Sequence, residues 1–408
     1  MAPNHKLLKP ACYMGNTTMA IVSALSPILF LTFHNMYGIS YSLLGTLVLI
    51  NFFTQLTVDL IFSFFSHLFN IEKTVRIMPI LSIVGFAIYA IYPYIFPNSV
   101  YIGLCIGTVI FSASSGLAEV LLSPIIAAIP SDDPDREMSK LHSVFAWGLV
   151  GVSIFSTLYI FIFGGENWQY LSLILTIIPI LCTIFFSLSD IPHIDTPKKA
   201  TGALHLLKNR GVWLCVGAIF LGGASECTME LWASSYLEKA LGIPKLWGDI
   251  FGVALFGAML GLGRTLYSKI GRNIEKVLFL CAVGATVCYA VSALSPISTI
   301  GLIACALTGL CTSMMWPGSL VVASDKFPQG GVFIFAMMAA GGDLGASVGP
   351  QLIGIITDFA SSNPTLIDLA VKLGESPDGF GMKLGMLVGM LFPLGAIPIF
   401  YRILKSKR

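Results

Sequence analysis

The sequence predicts an all-α membrane protein of twelve transmembrane helices in two six-helix bundles. Three observations predict it: the apolar bulk of the chain, the length of its apolar runs and the sidedness of its basic residues. Of 408 residues, 56% are hydrophobic and 11% charged, and the mean hydropathy is +0.85. A single aqueous core cannot hide that much apolar surface. A helix needs about 20 mainly apolar residues to cross the roughly 30 Å hydrocarbon layer. Runs of that length, separated by charges, Pro or Gly, fall at 11–35, 41–67, 75–96, 99–129, 138–163, 168–188, 211–237, 247–268, 275–294, 297–324, 330–359 and 381–404.

Placing the N-terminus in the cytoplasm puts the pairs Lys73/Arg76 and Arg136/Lys140 inside. The same choice puts Lys198, Lys199, Lys208 and Arg210 inside, with Arg264, Lys269, Arg272 and Lys276. Of the 23 Lys and Arg residues only Lys239, Lys245, Lys372 and Lys383 then fall outside. The positive-inside rule therefore predicts an inner-membrane protein with both termini cytoplasmic. A net charge of +2 says little about partners. Those expected are the bilayer and a small-molecule substrate, not nucleic acid, and the chain is expected to act as a monomer. All nine cysteines lie within the proposed spans and read as small apolar side chains. The first apolar run is long, lacks a cleavage site and is followed by a second, so it is expected to serve as its own insertion signal.

The longest polar interruption, Ser189 to Arg210, divides the chain into an N-terminal six-helix bundle over 1–188, a cytoplasmic linker over 189–210 and a C-terminal six-helix bundle over 211–408. A second loop, Ser361 to Gly379, has the composition of an external connector. Small residues recur four apart at Gly257 and Gly261 and at Gly345 and Gly349. Sliding contacts are one reading, and static close packing is the plainer one.

A carboxylate at mid-span costs roughly 2.5–3.5 kcal/mol on insertion scales, so intramembrane acids are functional candidates. Five are expected: Asp59, Glu119, Glu226, Glu230 and Asp343. Several lie on polar stripes at steps of four: Asn51, Gln55, Asp59 and Ser63; Ser115, Glu119 and Ser123; Asp343, Ser347 and Gln351. Such steps keep side chains on one helical face. They line a wet cavity or glue helices together, and a central carboxylate favours the cavity for Glu119 and Asp343. Glu226 and Glu230 are one turn apart and should share a proton or cation, although Glu230 is near enough to the outer surface to be merely solvated.

Arg264 is placed near the cytoplasmic end of its span, so no base is expected at the depth of these acids. That restricts the solute to a neutral or cationic one. Trp147, Trp232 and Trp316 are candidates to stack on a sugar face or hold an amine, whereas Trp168, Trp213 and Trp247 sit at span ends as interface anchors. His34 and His142, at span borders, either relay protons or are structural. A multispan enzyme would need a nucleophile or metal cluster, and no G-x-S-x-G, H-E-x-x-H or Cys/His ligand set is present.

The stretch Gly116-Leu-Ala-Glu119-Val-Leu-Leu-Ser-Pro124, followed by Leu141-His142-Ser-Val-Phe145-Ala-Trp-Gly148, resembles the fucose/galactose/glucose:proton symporter branch of the major facilitator superfamily. The six-plus-six topology is similar to the same fold. The resemblance implies that Glu119, a span-four Glu five residues before a Pro, takes part in proton coupling and sugar binding. The branch's span-one carboxylate has no counterpart before Pro27, so Asp59 or Asp343 would supply a second titrating site. The superfamily's loop-two motif is degraded at Ser63 to Lys73. Its second-half relative, from Gly263-Arg264 through Lys269 to Gly271-Arg272, is better kept and implies gate roles for Arg264 and Arg272. The span-five motif of drug antiporters is missing.

Residues and resemblance together predict a secondary active transporter that moves a small polar solute, such as a sugar, by symport with H⁺ or Na⁺ and needs no other cofactor. Glu119, Asn51, Gln55, Trp147, Trp232, Trp316 and Gln351 are the expected substrate contacts. Glu119, Asp343, Glu226 and Asp59 are the expected coupling acids. Proton-coupled efflux of an amphiphilic cation is the alternative.

Overall fold

The computed structural model describes residues 7–65, 68–129, 134–192, 208–270, 273–327 and 331–405, and among them every regular element is helical. The first helices are α1 (Leu8–Tyr37), α2 (Tyr41–Phe65), α3 (Ile71–Ile95), α4 (Val100–Ala128) and α5 (Pro134–Phe163), followed by the pair α6 (Trp168–Leu175) and α7 (Ile177–Ser187). Beyond the linker come α8 (Arg210–Lys239), a single turn α9 (Lys245–Trp247) that runs through a π-helical stretch Gly248–Ala254 into α10 (Leu255–Ile270), and α11 (Ile274–Leu294). The rest are α12 (Ser298–Thr312), α13 (Met315–Lys326), α14 (Gly331–Ser362), α15 (Pro364–Lys372), α16 (Pro377–Gly389) and α17 (Leu391–Lys405). Among the described residues, eleven helical stretches are long and apolar enough to cross a membrane. The expected eleventh span, 330–359, corresponds to the 32-residue α14.

Three spans are broken into two helices, and each break lies just ahead of a proline. Thr176 precedes Pro179, Ser313 and Met314 precede Pro317, and Met390 precedes Pro393. A proline ring removes one amide donor and crowds the carbonyl a turn earlier, so the ladder opens there. Caps close the ends that begin in loops: Asn70, Asn209, Asn363 and Ser376 each accept a hydrogen bond from a backbone N–H two or three residues on. The loop expected at Ser361 to Gly379 contains the nine-residue α15, capped by Asn363.

The chain divides into two compact units. Unit 1 comprises Met1–Leu29 and Ile50–Ala200, and unit 2 comprises Phe30–Leu49 and Thr201–Arg408. Residues Phe30–Leu49, which the sequence boundaries assign to the N-terminal bundle, thus cluster with the second unit.

Unit 1 is built on close packing of α3 against α4. A Cβ on Gly85 would sit 2.6 Å from the Phe111 nitrogen, and one on Gly107 2.7 Å from Tyr89 Cβ. In unit 2 the corresponding seam joins α8 and α14. A Cβ on Gly345 would collide with the Phe220 carbonyl, and one on Gly349 with the Thr228 hydroxyl. The Gly345/Gly349 pair therefore serves close packing, whereas at Gly261 nothing among the described residues lies within 4 Å of where a Cβ would be. Both seams exclude any larger side chain, as expected where lipid supplies no hydrophobic drive between helices.

Candidate functional site

Each unit contains a polar seam that includes candidate residues. In unit 1 it lies between α2 and α4. Asn51 Oδ1 accepts hydrogen bonds from Ser112 Oγ at 2.5 Å and Gln55 Nε2 at 3.1 Å, while Gln55 Oε1 accepts from Ser115 Oγ at 3.0 Å. Gly116 allows this approach, because a Cβ there would already be 3.1 Å from the Gln55 Cα. The amides of Asn51 and Gln55, buried at 8% and 6% exposure, thus bond to neighbouring helix groups. A turn further along, Asp59 is buried and interacts electrostatically with Glu119, while its Oδ1 has no hydrogen-bond partner among the described residues. Glu119 itself is exposed. The side chains of Ser63, Ser123 and His142 lie outside the described residues.

The seam of unit 2 is built differently. Glu226 on α8 is 7% exposed, and its Oε1 accepts a hydrogen bond of 2.9 Å from Arg264 Nη2 on α10. Arg264 Nε donates to the Ser313 carbonyl at 3.2 Å, at the break between α12 and α13. That carbonyl is available because the helical ladder is interrupted ahead of Pro317. Glu230, half-buried one turn along α8, interacts with both Glu226 and Arg264. Asp343 on α14, 5% exposed, reaches the same group through Cys227. One carboxylate, Glu226, thus bonds the guanidinium directly, a second, Glu230, acts on it electrostatically, and a third, Asp343, acts on the neighbouring Cys227.

This geometry corrects the expectation that no base reaches the depth of the acids. Counting residues from the end of a span locates a Cα, whereas an arginine carries its charge several ångströms further along its own stem. The inference that the solute must be neutral or cationic loses its premise.

The other expected residues are placed as follows. Trp232 is fully buried and donates from Nε1 to the Pro350 carbonyl at 2.9 Å, with its ring 5.1 Å from that of Phe30. Trp316 fills the gap between α8 and α14, because a Cβ on Gly342 would strike its ring and one on Gly223 would come within 2.8 Å of it. Trp147 is 71% exposed, on the face of α5 that also exposes Ile154, Phe155 and Leu158. Gln351 donates from Nε2 to the Ser42 carbonyl at 3.3 Å, and its Oε1 has no partner among the described residues. Arg272 lies outside the described residues.

Several polar residues escaped the sequence reading. Asp358 accepts hydrogen bonds from the backbone N–H of Tyr41 at 2.9 Å and of Ser42 at 2.7 Å, capping the start of α2 within unit 2. Asp378 accepts from the Tyr41 hydroxyl at 2.9 Å, with His34 Nε2 3.8 Å away. Asp358 lies seven residues beyond Gln351 and extends the stripe that begins at Asp343, so a longer window would have found it. Asp249, at the start of its span, is fully buried and held by Ser234 and Lys245. No stripe marks it, because its partners come from α9 and from α8.

Residues 12–350 match the Major Facilitator Superfamily. The chain belongs to the major facilitator superfamily. Membership makes it a multi-pass secondary transporter and not an enzyme. No curated protein sequence matches the chain. Among solved structures, a bacterial homolog of the human lysosomal transporter Spinster is similar at TM-score 0.77 and 14% identity, covering 100% of this chain and 98% of that one. The nucleoside transporter NupG is similar at TM-score 0.74 and 12% identity, covering 97% of this chain and 98% of that one. The E. coli fucose:proton symporter FucP is similar at TM-score 0.60 and 14% identity, covering 96% of this chain and 99% of that one. At such identities these superfamily members share the fold alone, and solute chemistry has to be argued from the site.

Proposed function

We propose that this facilitator couples the movement of a small polar solute to protons bound by its intramembrane carboxylates, working as a symporter in the inner membrane with both termini in the cytoplasm. The observation that carries the reading is the buried Glu226–Arg264 ion pair, with Glu230 one turn along the same helix and Asp343 acting on the neighbouring Cys227, all within unit 2. Glu226 and Glu230, one turn apart on one helix in a poorly polarisable setting, cannot both be fully ionised, so the pair exchanges a proton when the neighbouring charge changes. In unit 1 the exposed Glu119 acts electrostatically on the buried Asp59, which supports a coupling role for Glu119. Coupling requires that solute and proton bind with a mutual free energy, and a charge network that both of them touch supplies one.

The test is a solute screen on proteoliposomes that hold a pH-sensitive dye. Symport predicts acidification of the lumen when the right solute is added outside. Alkalinisation would instead establish exchange, the efflux alternative, and solute entry with no proton movement would overturn proton coupling altogether.

A further inference from the structure

We propose that the solute carries an anionic oxygen group, a carboxylate or a phosphate, which docks on the Arg264 guanidinium in exchange for Glu226. The inference rests on the proton-coupled reading above and names the substrate class for the same site.

Arg264 bridges three helices, with Nη2 on Glu226 of α8 and Nε on the Ser313 carbonyl beside α12, while Nη1 makes no hydrogen bond among the described residues. Its side chain is 38% exposed and that of Glu226 only 9%. The arginine side chain is therefore fixed by two hydrogen bonds yet only partly covered. The Nη1/Nη2 edge of an arginine matches the two oxygens of a carboxylate or phosphate, and no neutral hydroxyl competes with a carboxylate for it.

Glu226 supplies the second observation. It is more than nine-tenths buried, yet its Oε2 has no hydrogen-bond partner among the described residues. An ion pair made only to hold helices together would be expected to satisfy both oxygens, because a half-bonded buried carboxylate is costly. A carboxylate that alternately holds the arginine and takes up a proton has to leave one oxygen open.

The charges around Glu226 decide when exchange occurs. It is faced by Arg264 from α10, by Glu230 and Cys227 from its own helix and, through Cys227, by Asp343 from α14. An anion approaching Arg264 is repelled by these carboxylates while they are ionised. Protonation of Glu226 removes one negative charge and releases Nη2 beside the already open Nη1. Anion and proton thus bind together, and anion binding strengthens as pH falls.

The test is modification of Arg264 by phenylglyoxal in the purified full-length protein, read by mass spectrometry of the Arg264 peptide, with acetate, inorganic phosphate or glucose present at matched ionic strength. At acidic pH an anion should protect Arg264 and glucose should not; protection should weaken by roughly tenfold at neutral pH, within the 5–150-fold range usual for coupled sites. In Glu226→Gln, protection should become independent of pH. Whichever of acetate and phosphate protects better identifies the group. Failure of both anions to protect the wild-type protein at either pH overturns the inference even if solute-driven proton movement stands. Protection without any solute-driven proton movement would keep the anion site and sink the coupling reading.

Discussion

The polar seam of unit 1 is built mainly of amides and hydroxyls that bond one another, and the seam of unit 2 is built of charges. Between α2 and α4 the amides of Asn51 and Gln55 bond to each other and to Ser112 and Ser115, leaving the Asp59–Glu119 pair at one end. Between α8 and α10 a guanidinium bonds one carboxylate, Glu226, whose second oxygen has no hydrogen-bond partner among the described residues, and lies within the field of another, Glu230. Both seams began as the same pattern, polar residues at helical spacing among apolar ones. A row whose donors and acceptors match becomes glue, and a row with excess charge needs something from outside to balance it.

The largest way to break this contrast is Arg264→Ala, which leaves Glu226 buried with no cation. A loss of about 3 kcal/mol is expected, the low end for breaking a buried pair because Arg264 is itself partly exposed. Adding Glu226→Gln to that variant should restore most of the loss, and thermal unfolding of the two variants in detergent checks both. Next comes Gly345→Leu, which would force α14 off the Phe220 carbonyl. Overpacking of that kind costs about 1–3 kcal/mol and should lower the unfolding temperature and transport together.

In unit 1, Asn51→Ala sharpens the comparison. It strands the Ser112 hydroxyl and the Gln55 amide, with an expected cost of about 1–3 kcal/mol, but it should leave the number of protons moved per solute unchanged. An altered stoichiometry in this variant would place coupling in the seam that looks static. The smallest effect belongs to Trp147→Ala. Its ring is 71% exposed on an apolar face of α5, so stability should stay within about 0.5 kcal/mol. A drop in solute affinity in that variant, measured by competition binding, would show instead that the ring meets the substrate.

Much of the architecture was legible because membrane insertion writes itself into runs of apolar residues and into the placement of Lys and Arg. The α4 stripe through Ser115 and Glu119 and the α14 stripe through Asp343 were likewise visible as spacing. What spacing could not convey was pairing between helices. Trp232 read as a ring for a solute and is sealed against the Pro350 carbonyl, and Trp316 is wedged over Gly223 and Gly342. Arg264 read as a residue of the span end, because depth was assigned by its Cα and not by its guanidinium. The proline-led break at Ser313, which gives Arg264 its second partner, was also invisible as a ligand, since any backbone carbonyl looks alike in a sequence.

The most direct test of proton coupling through the unit 2 cluster is solute accumulation driven by an imposed pH gradient in proteoliposomes carrying Glu226→Gln. The account predicts that uphill accumulation disappears while gradient-free counterflow of the same solute persists. Accumulation equal to that of the wild type would contradict it.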